Sequence, residues 1–334
     1  MKCLFACAKL VHRSVSLALI ATSTMFGLLG ADRVAAGTFP ERPITLVVAY
    51  APGGGVDGVG RVLGRELGKI LKQSVIVDNR GGAAGTIGAS AVARAAPDGY
   101  TLFVGDVALV TAPHLMKRVP YNLSKDFEPI SPLSVAPLVL TVPIGSPIKS
   151  LAELDAAAKN APSGLTFSSA GIGSTPHLAG EMLKIKSKGE YAHVPYKGSG
   201  PAMLDLIAGR LDFSFSTIAA AKPFVNQGKL RVLATTGTER SPAFPESPTL
   251  AETIPGFEVL FWTGLLAPAK TPPEILETLN NAVRQALATE TFQEELKKTG
   301  ESAKYMTLNQ SRGFFAEESR RWGNLISEAK IQVE

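Results

Sequence analysis

Cysteine is almost absent. Cys3 and Cys7 are the two in 334 residues, and both fall in a segment that reads as a removable leader. The remaining chain has no disulfide, no thiolate nucleophile and no cysteine metal ligand, so the fold must be held by its core. Histidine is scarce, with four residues, and no histidine or acid group shows metal-ligand spacing; no metal or other cofactor is expected. No Walker sequence occurs, and Ser169-Ala-Gly lacks the G-x-S-x-G frame of a nucleophile elbow. Beyond residue 36 no apolar run is long enough to cross a membrane. Basic residues do not cluster, and loss of Lys2, Lys9, Arg13, Arg33 and Asp32 with the leader lowers the formal charge from +5 to about +2, so nucleic acid is not an expected partner.

The leader is what the first 36 residues resemble. Lys2, Lys9 and Arg13 precede the short apolar stretch Val15 to Leu29, and Val34-Ala35-Ala36 offers small residues for cleavage. This pattern predicts a cleaved secretory signal over 1–36, with no twin-arginine pair and no lipoprotein cysteine. The mature protein is expected to be exported and not to insert in a membrane. Roughly 300 residues then remain, enough for two modest domains.

Strand-like and helix-like segments alternate along this mature chain. Strands are predicted at Ile44–Ala49, Val75–Asp78 and Tyr100–Val104, with helices at Gly58–Leu71 and Thr86–Ala96 between them. A β-α-β-α-β order argues for a parallel sheet covered on both faces. Around Pro132, Pro137, Pro143 and Pro147 the pattern changes, and Leu138–Val142 reads as an extended crossing. A second alternating series follows: strands at Leu165–Ser168, Ala192–Pro195, Leu211–Phe215 and Leu230–Ala234, with helices near Pro176–Lys184, Pro201–Ala208 and Ala219–Gln227. Phe257–Ala267 reads as the return crossing, and the tail from Pro272 as helical. The expected architecture is α/β: two α/β lobes with a ligand cleft between them, lobe 1 being 37–138 plus 262–334 and lobe 2 being 139–261.

Two segments look alike. Ile44-Thr-Leu-Val-Val-Ala-Tyr-Ala-Pro-Gly-Gly-Gly-Val-Asp57 and Leu165-Thr-Phe-Ser-Ser-Ala-Gly-Ile-Gly-Ser-Thr-Pro-His177 each run from an apolar strand through a glycine-rich turn into a helix. Such a turn presents unpaired N–H groups at the positive end of a helix dipole. Two of them suggest two lobes gripping one anion, at the C-terminal ends of the strands. Gly53, Gly55 and Gly58 also match G-x-G-x-x-G, and Asp78 stands where a ribose-binding acid would sit. An NAD-linked oxidoreductase is therefore the rival reading. Against it, Asp57 would oppose a pyrophosphate, and no hydride-transfer site is evident. Asp57 is read instead as a cap for N–H groups of the first helical turn. His177 is read as a capping or ligand contact, His114 as surface or lobe packing, and Lys197 as solvated at the rim.

Tyr50-Ala-Pro-Gly-Gly-Gly-Val-Asp, Asp78-Asn-Arg-Gly-Gly-Ala-Ala-Gly-Thr-Ile-Gly-Ala, Pro97-Asp-Gly-Tyr-Thr-Leu, Lys125-Asp-Phe-Glu-Pro-Ile, Gly171-Ile-Gly-Ser-Thr-Pro-His-Leu-Ala-Gly-Glu and His193-Val-Pro-Tyr-Lys-Gly-Ser-Gly-Pro-Ala occur in this order. Together they resemble the Bug-type solute receptors of tripartite tricarboxylate transporters across the whole mature chain. The resemblance implies a periplasmic binding protein type II-like fold, no enzymatic activity, a small organic carboxylate as ligand and a membrane permease as partner, with a monomer expected. A sensing role through a membrane kinase is the alternative. It implies ligand contacts from Pro52, Gly53, Gly54, Gly55, Val56 and Asp57, from Gly82, Ala83 and Ala84, from Ser168, Ser169, Ala170, Gly173, Ser174 and Thr175, and from Tyr196, Ser199, Ser216 and Thr217; Asp106 completes the candidate set. Two positions depart from the family pattern. Val56 stands where a Ser or Thr is frequent, and Ser216-Thr217 follow Phe215 where many members carry an acid. The first removes one hydroxyl contact, and the second, if that acid binds a ligand amine or hydroxyl in relatives, makes an amino-acid ligand less expected; the cleft is also less polar, which suits a monocarboxylate or an aromatic acid at least as well as citrate.

Overall fold

The computed structural model describes residues 39–161, 164–187 and 189–331; the expected signal segment 1–36 lies outside them. Arg42–Glu334 forms one compact unit, and it is mixed α/β.

The first strand, β1 (Ile44–Val48), is buried along nearly its whole length, as a central strand covered on both faces must be. It leads through the Ala51–Gly54 turn into α1 (Gly55–Leu71), whose Val59, Val62, Leu63 and Leu67 form a buried stripe at helical spacing. Then follow β2 (Val75–Asn79), a 3-10 turn at Ala83–Gly85, α2 (Thr86–Ala93) and β3 (Thr101–Asp106). β1 pairs in parallel with both β2 and β3, as the alternation predicts. A helix that the sequence reading did not anticipate, α3 (Ala108–Leu115), follows β3. Its β-branched residues and internal Pro113 give no amphipathic period, so tertiary packing rather than propensity forms it.

After a four-residue helix, α4 (Leu123–Asp126), the chain enters β4 (Phe127–Pro143). This strand is far longer than the expected extended crossing Leu138–Val142. Its register against β9 (Leu260–Pro268) shifts between Pro129 and Ser131 and again between Pro132 and Ser134. A proline has no N–H for the ladder, and bulges absorb that loss. Pro129, Pro132, Pro137 and Pro143 therefore all lie inside one strand. The second alternating series comprises α5 (Leu151–Asn160), β5 (Leu165–Ser169), α6 (Thr175–Ser187), β6 (Tyr191–Pro195), α7 (Ser199–Ile207), β7 (Phe213–Thr217), α8 (Ile218–Asn226) and β8 (Leu230–Thr235).

One sheet results, in the order β2-β1-β3-β9-β4-β7-β5-β6, with β8 and the short β10 (Ser302–Ala303) both paired to β4. β4 is the shared element: residues 127–137 pair with β9, and residues 138–143 with β7 and β8. The chain ends in α9 (Pro273–Leu287), α10 (Glu290–Thr299) and α11 (Leu308–Glu328). These return to the N-terminal part of the sheet: α9 and α10 pack on α1, and α11 on α3 and β4. Glu318 anchors that return. Its Oε2 accepts from the indole N–H of Trp262 at 2.6 Å and of Trp322 at 3.0 Å, and Arg321 lies 2.9 Å from Oε1. A buried carboxylate is tolerated when its oxygens are satisfied in this way. His114, on α3, is exposed and meets Ser319 of α11 at 3.2 Å; the sequence left surface and lobe packing both open for it.

Candidate functional site

A cavity of about 520 Å³ opens where the helices that follow β1, β3, β5, β6 and β7 begin. Gly54, Gly55 and Val56 line it from the start of α1, Ala108 from α3, Ser174 and Thr175 from α6, Ser199 from α7, and Thr217 to Ala219 from α8. Five helix N-termini thus face one space, each the positive end of a dipole. They are not equally free. Asp106 accepts from the Ala108 amide at 3.0 Å and so caps α3, and Thr217 caps α8 through the Ala220 amide. The caps of α1 and α7 are Gly54 and Gly198, and neither offers a side-chain hydrogen bond. The first-turn amides of these two helices therefore have no acceptor from the cap.

The two glycine-rich turns are fixed from behind. Asp57 was expected to cap the first turn of α1. Instead its Oδ2 accepts from the Gly53 amide, ahead of the helix, at 2.8 Å and from Arg61 at 2.9 Å, while Oδ1 accepts from Asn79 at 2.8 Å. Burial opposes the charge, but the bonds from Arg61, the Gly53 amide and Asn79 outweigh it and hold the carboxyl below its ordinary range. A short side chain reaches back as easily as forward, and the turn closes on it. In the second turn, buried His177 accepts from the Gly173 amide through Nδ1 at 3.0 Å, with Glu181 3.6 Å from Nε2. Its ring stacks on His193 at 3.9 Å, whose Nε2 lies 2.7 Å from Ser169 Oγ. His177 is thus a brace for the turn. Gly173 has φ +79°, and a Cβ there would lie 2.5 Å from Leu115 Cδ1, so a side chain would strain the backbone and displace Leu115, and glycine suits the turn's approach to α3.

Of the residues singled out in the sequence, the cavity brings together Gly54, Gly55, Val56, Ala84, Asp106, Ala170, Gly173, Ser174, Thr175, Ser199 and Thr217. The others stand apart from its lining. Pro52 is exposed beside Gly53, and Gly82 and Ala83 are exposed ahead of the 3-10 turn. Ser169 is engaged by His193, and the Tyr196 hydroxyl donates to Asp205 at 2.7 Å. Ser168 and Ser216 are buried in the sheet with no hydrogen-bond partner for their hydroxyls. Lys197 is exposed and also outside the lining.

Several lining residues were not singled out as contacts from the sequence. Tyr50 lies within the first motif, and its hydroxyl donates to Asp106 at 2.8 Å. Thr111, Ala112 and Leu115 come from α3 and Met116 from its C-cap, and Ile172, Phe261 and Glu301 complete an otherwise apolar wall. No Lys, Arg or His is among the described lining residues, whereas two acids are. Burial pushes the Asp106 carboxyl up to about 6, against the lowering effect of its bonds from Tyr50 and Ala108. Burial likewise raises Glu301, against bonds from Ser134 and Thr299. Among the described residues no cluster of His, Cys, Asp or Glu could hold a metal ion.

Comparison with known proteins agrees with this geometry. A family model described as "Tripartite tricarboxylate transporter family receptor" matches residues 59–331. A protein of Pseudomonas sp. (strain P51), described as "UPF0065 protein in tcbD-tcbE intergenic region", is 38% identical over 325 residues, covering 97% of this chain and 95% of its own. Two solved structures superimpose well. R. palustris Rpa4515 with adipate has a TM-score of 0.78 at 32% identity, covering 88% of this chain and 100% of its own. The periplasmic binding protein BugD has a TM-score of 0.75 at 32% identity, with the same coverages.

Proposed function

Since the chain belongs to the tripartite tricarboxylate transporter receptor family, and is a solute receptor of that family rather than an enzyme, we propose that its cavity holds a small organic carboxylate between the uncapped starts of α1 and α7 and the braced second turn. The observation that carries this reading is the convergence of five helix N-termini on one cavity with no basic side chain in its lining. Fixed amides then take the place of an arginine. Micromolar binding is about 8 kcal/mol, and a hydrogen bond to a charged group contributes about 1.5–3 kcal/mol. Four or five donors reach that scale before association and ordering costs, and backbone donors lose no side-chain entropy. Family and structural neighbours favour transport over sensing and over a dinucleotide enzyme. Asp78, the acid a ribose would need, is paired with Arg80 at 2.7 Å.

In this reading lobe 1 is 37–138 plus 262–334, lobe 2 is 139–261, and the lobes close on the ligand by a hinge at β4 and β9. The family is one of periplasmic receptors, and no helix among the described residues is long and apolar enough to cross a membrane. Export with cleavage of 1–36, action as a monomer and delivery to a membrane permease follow as parts of the proposal. The test is thermal unfolding of the chain from Gly37 with mono-, di- and tricarboxylates, aromatic acids, amino acids and NAD. A ligand at 100 times its Kd adds about 2.7 kcal/mol, a clear rise in midpoint. A rise with NAD alone would refute the proposal.

A further inference from the structure

We propose that Glu301 sets the ligand class of the cavity: the carboxylate it receives also bears an ammonium group, and Glu301 takes that group. The inference rests on the carboxylate-receptor reading above and names the substrate class within it, a small amino-carboxylate zwitterion.

The sheet brings the acids together in one row. Asp106 on β3 pairs with Thr263 on β9, Thr263 with Ser134 on β4, and Ser134 with Ala303 on β10. Paired residues share a face of the sheet, so this row runs across the strands. Glu301 directly precedes β10. Ser134 Oγ donates to Glu301 Oε2 at 2.5 Å and lies 2.7 Å from Thr263 Oγ1. With its proton given to Glu301, Ser134 accepts from Thr263, so the hydroxyl chain points its donors at the carboxylate. Asp106 is served in the same way by the Tyr50 hydroxyl and the Ala108 amide. Both acids are held as acceptors, and these bonds favour the ionised form against the burial that raises both carboxyls.

Glu301 also faces the helix start where a ligand carboxylate would dock. Its Oε1 lies 3.9 Å from the position of a Cβ on Gly55. A ligand carrying only negative charge would bring a second anion close to Glu301, with no basic side chain in the lining to offset either. An ammonium on the ligand supplies the missing cation. The helix starts then hold the carboxylate and Glu301 holds the ammonium, with Asp106 adding negative potential from two strands away, about 10 Å across the sheet. The acid expected after Phe215 is absent in this chain, but an acid reaches the cavity from the C-terminal segment instead.

The experiment is calorimetric titration of the chain from Gly37 at pH 7.5 with length-matched probes, 5-aminopentanoate against glutarate and norvaline against pentanoate, for the wild type and Glu301→Gln. The amino member of a pair is expected to bind at least about tenfold more tightly, the scale of one hydrogen bond to a charge. Glu301→Gln, with its apo unfolding midpoint as the control for folding, is expected to lose that preference, binding the amino members more weakly and pentanoate and glutarate more tightly. Tighter binding of glutarate, strengthening as the pH is lowered to 5.5, would show protonated acids acting as donors and would overturn the proposal. Carboxylate binding with no amino preference would overturn it too. Failure of every carboxylate in both classes would instead bring down the receptor-site reading on which it rests.

Discussion

Replacing Gly54 by valine tests the anion site most directly. Gly54 has φ −83° and ψ 168°, an extended conformation that a β-branched residue adopts without strain. A Cβ built there meets only the Ala51 carbonyl oxygen, at 3.9 Å, so the fold should accept the change within about 0.5 kcal/mol. The isopropyl group would stand in the cavity that Gly54 lines, over the first amides of α1, those of Gly55 and Val56. Losing two hydrogen bonds to a charged ligand costs about 3–6 kcal/mol, a fall in affinity of roughly a hundred- to ten-thousandfold. Calorimetric titration with any carboxylate found to bind, beside a thermal unfolding curve of the apo protein, measures both quantities. Its neighbour is the contrast. Gly53 has φ +92°, a Cβ there meets nothing within 4 Å, and the residue is outside the cavity lining. Gly53→Ala should therefore lose about 1–2 kcal/mol of stability through left-handed strain and much less affinity than Gly54→Val. A folded Gly54→Val protein with unchanged affinity would refute the argument that α1 holds the ligand.

Three further changes test the supports. Asp57→Asn removes the charge that ties the Gly53 amide, Arg61 and Asn79 together; stability should fall by about 1–3 kcal/mol and binding should weaken, measured by denaturant unfolding and titration. Gly180→Ala places a methyl 2.0 Å from Phe167 Cε2, forcing α6 away from β5 at a cost of about 1–3 kcal/mol, visible as a lower unfolding midpoint. Burial, and then the neighbouring His177, push His193 down to about 4 from 6.5. The unfolded chain then takes up the proton first, so the stability this residue contributes is complete above pH 6.5 and is lost as the pH falls to 4. The loss is about 1–2 kcal/mol once the ring's partial exposure is allowed for. Asp106, raised from 3.8 to about 6, acts in the opposite direction over the same window: its stabilisation is present below 3.8 and lost as the pH rises through 6. The difference between wild type and His193→Gln isolates the histidine, and identical pH profiles for the two would refute the assignment.

The local grammar was legible from the residues. Ile44–Val48, Leu165–Ser169 and the helices after them carry their own periods and turn glycines, so both anion turns could be found from the chain alone. Three things were not legible. The prolines of residues 129–143 hide a single long strand: the pairing of β4 with β9 takes up Pro129 and Pro132 at register shifts, Pro137 pairs in register with Leu260, and Pro143 pairs with Leu230 of β8. Helix α3 has no period of its own, so the cavity wall it supplies through Thr111, Ala112 and Leu115, with its C-cap Met116, was missed. Asp57 has the spacing of a helix cap, but closure of its own turn decides where its oxygens go.

The sequence by itself determined that the protein is an α/β chain with two glycine-rich helix starts, because hydrophobic period, turn residues and the resemblance they carry are all local along the chain. Only the tertiary structure decided the chemistry of the cavity. Ligand-facing charge depends on which strands lie side by side, and that order, β3-β9-β4 with β10 beside β4, is set by long-range pairing. It places Asp106, a candidate from the sequence, and Glu301, far away in sequence and outside every motif, at the two ends of one polar row.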